Sequence, residues 1–530
     1  MTTPTPPTPV DAAPVDVTAG HGGQRVATAG ALLEHLAASG VEVRTGDEDR
    51  IEAGRDWWPL AIAWAARGQV PARPAAVVRP ATTEQVAAIL AGCSAAGVPV
   101  TPVAGRSGVC GGSVPVFGGV ALDCTGLVGD VTVDETSLVA EVPAGTFGPD
   151  LEAALGRIGD GYTLGHWPQS MDLSTVGGWL ACRGAGQYST RYGKIEDLVI
   201  GLEVVLADGR VVQTEGRAPR AATGPSLTQL FVGSEGTLGV ITRAWFRVRP
   251  RPAAEGRRAF GFDRFADGLD ACRRVLRRGA TPAVLRLYDR VESQRSFDRD
   301  DTCVLVVLDE ADPVLLDATL SIVDEECTAA GGAGGVGAGG AGGAAGGAAG
   351  GTGAERLPDD LVDRWLAHRN DVTALAPLWR ADVVVDTVEI AGRWAALPGL
   401  ADDVVAALTR LPGTLAASVH QSHAYTDGAC LYFTFAGRRP DGDPGGDRGL
   451  AWEEAYYRRA WDVVTTTVLD AGAAISHHHG IGLNRSRFVE DALGTGFEVL
   501  TAVKQALDPT GILNPGKLGL PSRFGAVPWP

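Results

Sequence analysis

Hydrophobic residues change their spacing repeatedly along the chain, and the changes mark out elements. The run from Ala75 to Pro80 is compact and apolar and predicts a strand. Thr82 follows, with Gln85 three residues on, a capping-box pattern that opens a helix. Val86, Ile89, Leu90 and Cys93 then share one face, and Gly97 closes that helix. Val98 to Val103 predicts a second strand, which runs directly into the glycine-rich segment 104–113. This is a β-α-β unit ending in a glycine loop. Upstream, 28–70 reads as short helical pieces, with Leu32, Leu33 and Leu36 at helical spacing and a Trp57–Trp58 pair suited to ordinary packing.

Further strands are predicted at 120–123 and 138–142, with a helix from Phe147 to about Ile158. Residues 195–206 alternate as a strand and end at the hairpin turn Ala207, Asp208, Gly209, Arg210. After 230–242 another alternating strand reaches Val248, and Pro250 with Pro252 marks a domain boundary. Beyond it, strands such as 303–308 and 430–435 alternate with amphipathic helices such as 314–327 and 452–471, the texture of an α+β domain on an antiparallel sheet. The predicted organisation is a disordered arm over 1–27 and a helical segment over 28–70, followed by a cofactor domain over 71–250. A second α+β domain occupies 251–500, and a tail, 501–530, returns to the first domain.

Composition narrows this further. With 530 residues the chain exceeds one core and implies two domains plus extras. Residues 329–353 are Gly and Ala except for Val336 and Thr352, too little apolar area to offset ordering, so a mobile surface loop is expected there. A net charge of -17 disfavours a nucleic-acid partner, while leaving room for an anionic small molecule held by a few local arginines. No apolar run reaches about 18 residues, so no transmembrane span is expected, and the Pro/Thr-rich start does not read as a signal peptide. The 8 cysteines have no CxxC spacing, which points to free thiols in a reducing, cytoplasmic setting.

Three glycine-bearing segments carry the chemistry: 104–113, 174–179 and 233–239. Adjacent glycines let backbone N–H groups approach a large planar or phosphorylated ligand. Their spacing fits neither GxGxxG nor GxxxxGK[ST], so neither a Rossmann fingerprint nor a Walker loop is supported. Together they suggest a pocket around one large bound cofactor. Near the end, His477, His478 and His479 are consecutive; in a strand His477 and His479 would share one face. No fourth ligand is spaced for zinc, so no metal is assigned, and a surface histidine cluster is the alternative to a catalytic strand.

With these segments in view, the chain resembles flavoproteins of the vanillyl-alcohol oxidase/p-cresol methylhydroxylase (PCMH) fold. Within them it is most similar to the alkyldihydroxyacetonephosphate synthases. The likeness runs from about Pro71 to Gly519. It rests on four motifs in order. The first, Pro102, Val103, Ala104, Gly105, Arg106, Ser107 and Gly108, looks like the FAD pyrophosphate loop. The second is Gln169, Ser170, Met171, Asp172, Leu173, Ser174 and Thr175, with Cys182, Arg183, Gly184 and Ala185. The third is Glu235, Gly236, Thr237, Leu238, Gly239, Val240 and Ile241, and the fourth is the histidine triplet within Ser476 to Gly482.

The resemblance implies an α+β fold, a two-part PCMH-type FAD domain with a cap domain, and non-covalent FAD. It implies Tyr432 as acid/base, His477, His478 and His479 beside the flavin, and Arg286 as an arginine important for activity and for the substrate anion. For the phosphate arginine the resemblance leaves two candidates, Arg369 and Arg380. The implied reaction exchanges the acyl group of an acyl-dihydroxyacetone phosphate for a long-chain alcohol, through a flavin N5 adduct, in ether lipid synthesis. The alternative is an FAD-dependent 2-hydroxy acid dehydrogenase or oxidase of glycolate or D-lactate type. A lipid alcohol, peripheral membrane contact and a homodimer are further expectations. Arg106 is left between a phosphate partner and a solvent-facing residue; Cys110 is expected to be a buried free thiol rather than a flavin link.

Overall fold

Thr82 caps the helix Thr83–Ala96 by accepting from the Gln85 N–H, and Gly97 ends it in the left-handed region at φ 65°. The Gln85 side chain reaches back to the Ala81 N–H, one residue before the cap. This helix connects the parallel strands Ala76–Arg79 and Val100–Val103, which flank Val120–Asp123 in a four-stranded sheet edged by Glu42–Arg44. The protein, a computed structural model, is described over residues 30–214, 220–329, 353–371, 376–440 and 449–527. The expected arm 1–27 and most of the Gly/Ala tract, 330–352, lie outside the described residues.

A second, antiparallel sheet follows in the order Thr132–Asp134, Val139–Pro143, Val240–Arg247, Val199–Val205, Val211–Gln213. The predicted strand 195–206 is shorter than its alternation suggests. Residues Ile195–Leu198 make a helical turn, because the Asp197 side chain accepts from the Lys194 N–H and winds the chain before the strand begins.

The third sheet is antiparallel and has 7 strands, with Glu355–Leu357 at one edge and Val383–Arg393 at the other. Its last three neighbours are Thr414–Ala424, Gly428–Arg438 and Val383–Arg393, so residues distant in sequence lie side by side. Helices Phe265–Arg277, Leu397–Thr409 and Gly449–Asp470 bury Leu276, Leu400 and Trp461 against it. The fold is α+β. After the helix Gly496–Leu507 the chain returns to the first sheet: Leu513 forms a parallel bridge with Val100, and Lys517 Nζ donates to the Val114 carbonyl at 2.8 Å.

Candidate active site

The three glycine segments open onto one cavity of about 1020 Å³. The whole of Pro102 to Gly108 lines it, as do Gln169, Ser170, Leu173, Ser174, Thr175, Cys182, Gly184, Ala185, Glu235, Gly236, Gly239, Val240 and Ile241. Five other residues of these motifs do not. Asp172 is exposed, Met171 and Leu238 are in the core, Thr237 bonds the Ser234 carbonyl, and Arg183 ends a helix at φ 56° and pairs with Glu196. Gly105 is obligatory for close packing: a Cβ there would sit 1.9 Å from the Leu173 carbonyl oxygen. The backbone N–H groups of Gly105, Arg106, Ser107 and Gly108 have no partner among the described residues, which suits them to an anion. Arg106 lines the cavity and lies 3.8 Å from Glu52. Cys110 is a buried free thiol beside Arg485 Nη1 at 3.2 Å, and burial raises its pKa well above the ordinary value.

Facing these cradles, Tyr432 accepts a hydrogen bond from Thr387 Oγ1 at 3.1 Å. Its own O–H is thereby left for His479 Nε2, 3.4 Å away. Burial pushes the Tyr432 phenol up and lowers His479 to about 4, so at neutral pH the phenol is protonated and the imidazole is uncharged. That pairing can pass a proton in either direction. Tyr432, His478 and His479 line the cavity; His477 does not.

The histidine triplet is not a strand. After the Ala391–Ala474 bridge the backbone bends, and the N–H groups of His477, His478 and His479 all converge on the Glu389 carboxylate. Successive strand N–H groups point to opposite edges and could not do this. Ser476 Oγ adds a fourth donor at 2.9 Å, and Arg485 Nη2 lies 3.0 Å away. Burial opposes ionisation of Glu389, but Arg485 and these donors outweigh it and hold its pKa below the ordinary carboxylate value. The period-two expectation for the three side chains therefore fails, and His478 and His479 reach the cavity together.

Arg286 also lines the cavity. Its Nη2 donates to His420 Nε2 at 2.6 Å, so the His420 proton sits on Nδ1, which donates to Glu292 Oε2 at 2.7 Å. Burial and Arg286 keep this imidazole neutral, with its pKa below the ordinary value. Arg286 Nε is buried with no hydrogen-bond partner among the described residues. This guanidinium lies 5.9 Å from the Trp365 ring, and that of Arg369 lies 5.8 Å from the same ring. Arg369 lines the cavity, whereas Arg380 is exposed outside it.

Four important residues escaped sequence reasoning: Glu292, Glu389, His420 and His423. His420 and His423 both line the cavity although three residues apart on one strand. A register shift between Gln421 and Ala424 breaks the two-residue alternation and brings both rings to one side. Ring nitrogens of His423, His477 and His478 lie within 4.8 Å of one another, a grouping of cation-binding size; two of these rings already share a 3.0 Å hydrogen bond.

Comparison with known proteins gives the chain its family. Residues 74–215 match the family described as FAD binding domain, and 251–518 match FAD linked oxidases, C-terminal domain. An uncharacterized FAD-linked oxidoreductase of Escherichia coli is 28% identical over 459 residues, covering 84% of this chain and 89% of the relative. Alkyldihydroxyacetonephosphate synthase of Trypanosoma brucei brucei is 30% identical over 493 residues, covering 88% of this chain and 76% of the relative. A glycolate oxidase subunit of Bacillus subtilis is 26% identical over 482 residues, covering 89% and 93%. The crystal structure of p-cresol methylhydroxylase with substrate bound superposes with TM-score 0.70 at 16% identity, covering 94% of this chain and 99% of that one.

Proposed function

The chain belongs to the FAD-linked oxidases of the PCMH-type fold, with FAD as its cofactor, and on that premise we propose that it exchanges the acyl group of an acyl-dihydroxyacetone phosphate for a long-chain alcohol. One observation carries this reading. A single cavity joins the glycine cradles, the Tyr432–His479 pair, the Arg286 and Arg369 guanidiniums and an apolar end made by Trp57, Ile62, Leu378, Trp379, Val385 and Ala416.

The residues fit the cofactor. Gly105 to Gly108 would hold the pyrophosphate on backbone N–H groups, and the cavity-lining residues of 173–178 and 235–241 would hold the rest, without a covalent link. When bound, the flavin would supply an electron-deficient ring able to take up, and later return, the electron pair of the substrate's enolised carbonyl carbon. The chain supplies the remainder. Arg286, with its unpartnered Nε, and Arg369 bind the phosphate. Tyr432 donates its phenolic proton to the oxygen of the departing group and recovers one through His479. The acyl group leaves as the carboxylic acid with that proton, the alcohol oxygen takes its place, and the alcohol's own proton is the one that returns to Tyr432, so no electrons are consumed overall. Trp57, Ile62 and Leu378 offer the apolar contact an alkyl chain needs.

A second reading, oxidation of a small 2-hydroxy acid, is favoured by the Arg286–His420–Glu292 grouping, which offers a carboxylate partner beside a fixed imidazole. Purified holoprotein incubated with acyl-dihydroxyacetone phosphate and labelled hexadecanol, with no electron acceptor, should yield a labelled ether by mass spectrometry. Anaerobic bleaching of the flavin by glycolate or D-lactate, with no ether formed, would overturn the exchange reading in favour of the second.

A further inference from the structure

Beside the cavity lies an unbroken run of hydrogen bonds that the Tyr432 chemistry does not use. His478 Nδ1 meets His477 Nδ1 at 3.0 Å, and His477 Nε2 meets the Tyr425 hydroxyl at 3.1 Å. That hydroxyl meets Ser189 Oγ at 3.2 Å, and Ser189 Oγ meets His423 Nδ1 at 2.7 Å. The two ends, His478 and His423, line the cavity; the three interior members, His477, Tyr425 and Ser189, do not. His423, His477 and Ser189 are buried, and Lys194 Nζ donates to the His477 carbonyl alongside them.

We propose that His478, His477, Tyr425, Ser189 and His423 form a proton relay that takes a proton from one point of the bound substrate and returns a proton at another. Every interior member has one contact on each side, and every group can both donate and accept. The balance closes. A proton arriving at His478 Nε2 displaces the Nδ1 proton to His477 Nδ1, whose Nε2 proton passes to the Tyr425 oxygen. The Tyr425 proton passes to Ser189 Oγ and the Ser189 proton to His423 Nδ1, and His423 Nε2 gives up its own into the cavity. No member is left charged, which suits a buried site beside a lysine ammonium. Burial holds the pKa of each of the three imidazoles well below the ordinary value, consistent with neutral rings at both ends of the transfer. The relay rests on the proposed acyl exchange only for the identity of the substrate; its wiring is a property of the chain.

Two measurements on the holoprotein test it. Imidazole ¹⁵N NMR, with the rings assigned through single-histidine variants, should find the three tautomers concerted. Either His478 carries its proton on Nδ1 while His477 and His423 carry theirs on Nε2, or all three are reversed. Mixed tautomers, or one zinc per chain shared by these rings, would overturn the relay whatever the substrate. In the exchange assay, Tyr425→Phe and Ser189→Ala should each lower kcat by about 10²-fold with KM nearly unchanged. The double variant should be no worse than either single one, since a wire cut twice is still one cut. Losses that multiply would mark independent structural roles and overturn it. A wild-type protein with concerted tautomers and no exchange activity would refute the proposed function and leave the relay standing.

Discussion

Arg485 Nη2 lies 3.0 Å from the Glu389 carboxylate, and neither side chain has any exposure to solvent. The pair organises the far wall of the site. Glu389 gathers the backbone of the histidine loop, while Arg485 Nη1 donates to the Gly480 carbonyl at 2.6 Å and its ring-facing side lies 4.9 Å over Trp461. Taking away one partner of a buried pair leaves the other charge uncompensated, at a cost of about 3–5 kcal/mol. Glu389→Ala is therefore expected to lower the unfolding free energy, read from urea denaturation, by an amount in that range. A free energy within about 0.5 kcal/mol of wild type, the scale of an ordinary surface change, would show that the loop holds its shape without the carboxylate.

Gly105 makes the first cradle possible, since a Cβ would meet the Leu173 carbonyl oxygen at 1.9 Å and its carbonyl carbon at 3.0 Å. The obstacle is backbone, so the two cradles must separate to admit a side chain. Gly105→Val should purify with little flavin absorbance and bind added FAD about 5- to 150-fold more weakly, the effect of roughly 1–3 kcal/mol of overpacking. Wild-type flavin content in the variant would remove Gly105 from the cofactor contact.

How much of this was legible in the sequence depends on how local each feature is. The glycine cradles and the capped helix after Ala76–Arg79 are written within a dozen residues, and so they are readable. The supports of the site are not. Glu389, Tyr432 and His420 occupy one row across three neighbouring strands, and that register is set by strand pairings, His420 with Tyr432 across a hairpin and Tyr432 with Glu389, 43 residues away. His423 joins the cavity only because the strand slips register near Gln421. The histidine triplet was legible as chemistry but not as shape, because the carboxylate that bends it lies on another strand.

Arg286 is braced in one orientation by His420, itself fixed by Glu292. A lysine at 286 would keep the charge but lose the planar fork that reaches both His420 and a ligand anion. Arg286→Lys is expected to raise KM for the anionic substrate by about 10–100-fold, the worth of one charge-assisted hydrogen bond of about 1.5–3 kcal/mol, with flavin content unchanged. His420→Asn should raise KM in the same direction by a smaller factor, because it loosens the guanidinium without deleting it. Steady-state kinetics on the two variants, alone and combined, checks both; unchanged KM in each would place the anion elsewhere.

His166 is 1% exposed, packs against Trp179 with the rings tilted and centroids 4.7 Å apart, and neither of its ring nitrogens has a hydrogen-bond partner among the described residues. Burial, reinforced by the nearby Lys194 ammonium, lowers its pKa from 6.5 to about 3. The unfolded chain takes up this proton as pH falls below 6.5, while the folded protein refuses it until about 3. Its neutral ring therefore favours folding fully above 6.5, and that contribution drains away with acidification by about 1.4 kcal/mol per pH unit. His166→Phe removes the titration and keeps an aromatic ring against Trp179. Packing strain in the variant shifts its stability by the same amount at every pH, so the slope carries the test. Between pH 6.5 and 4 the wild type should lose stability relative to the variant by about 1–3 kcal/mol in total, read from urea midpoints at each pH. Parallel curves would mean that the buried ring finds a proton-sharing partner in the folded state.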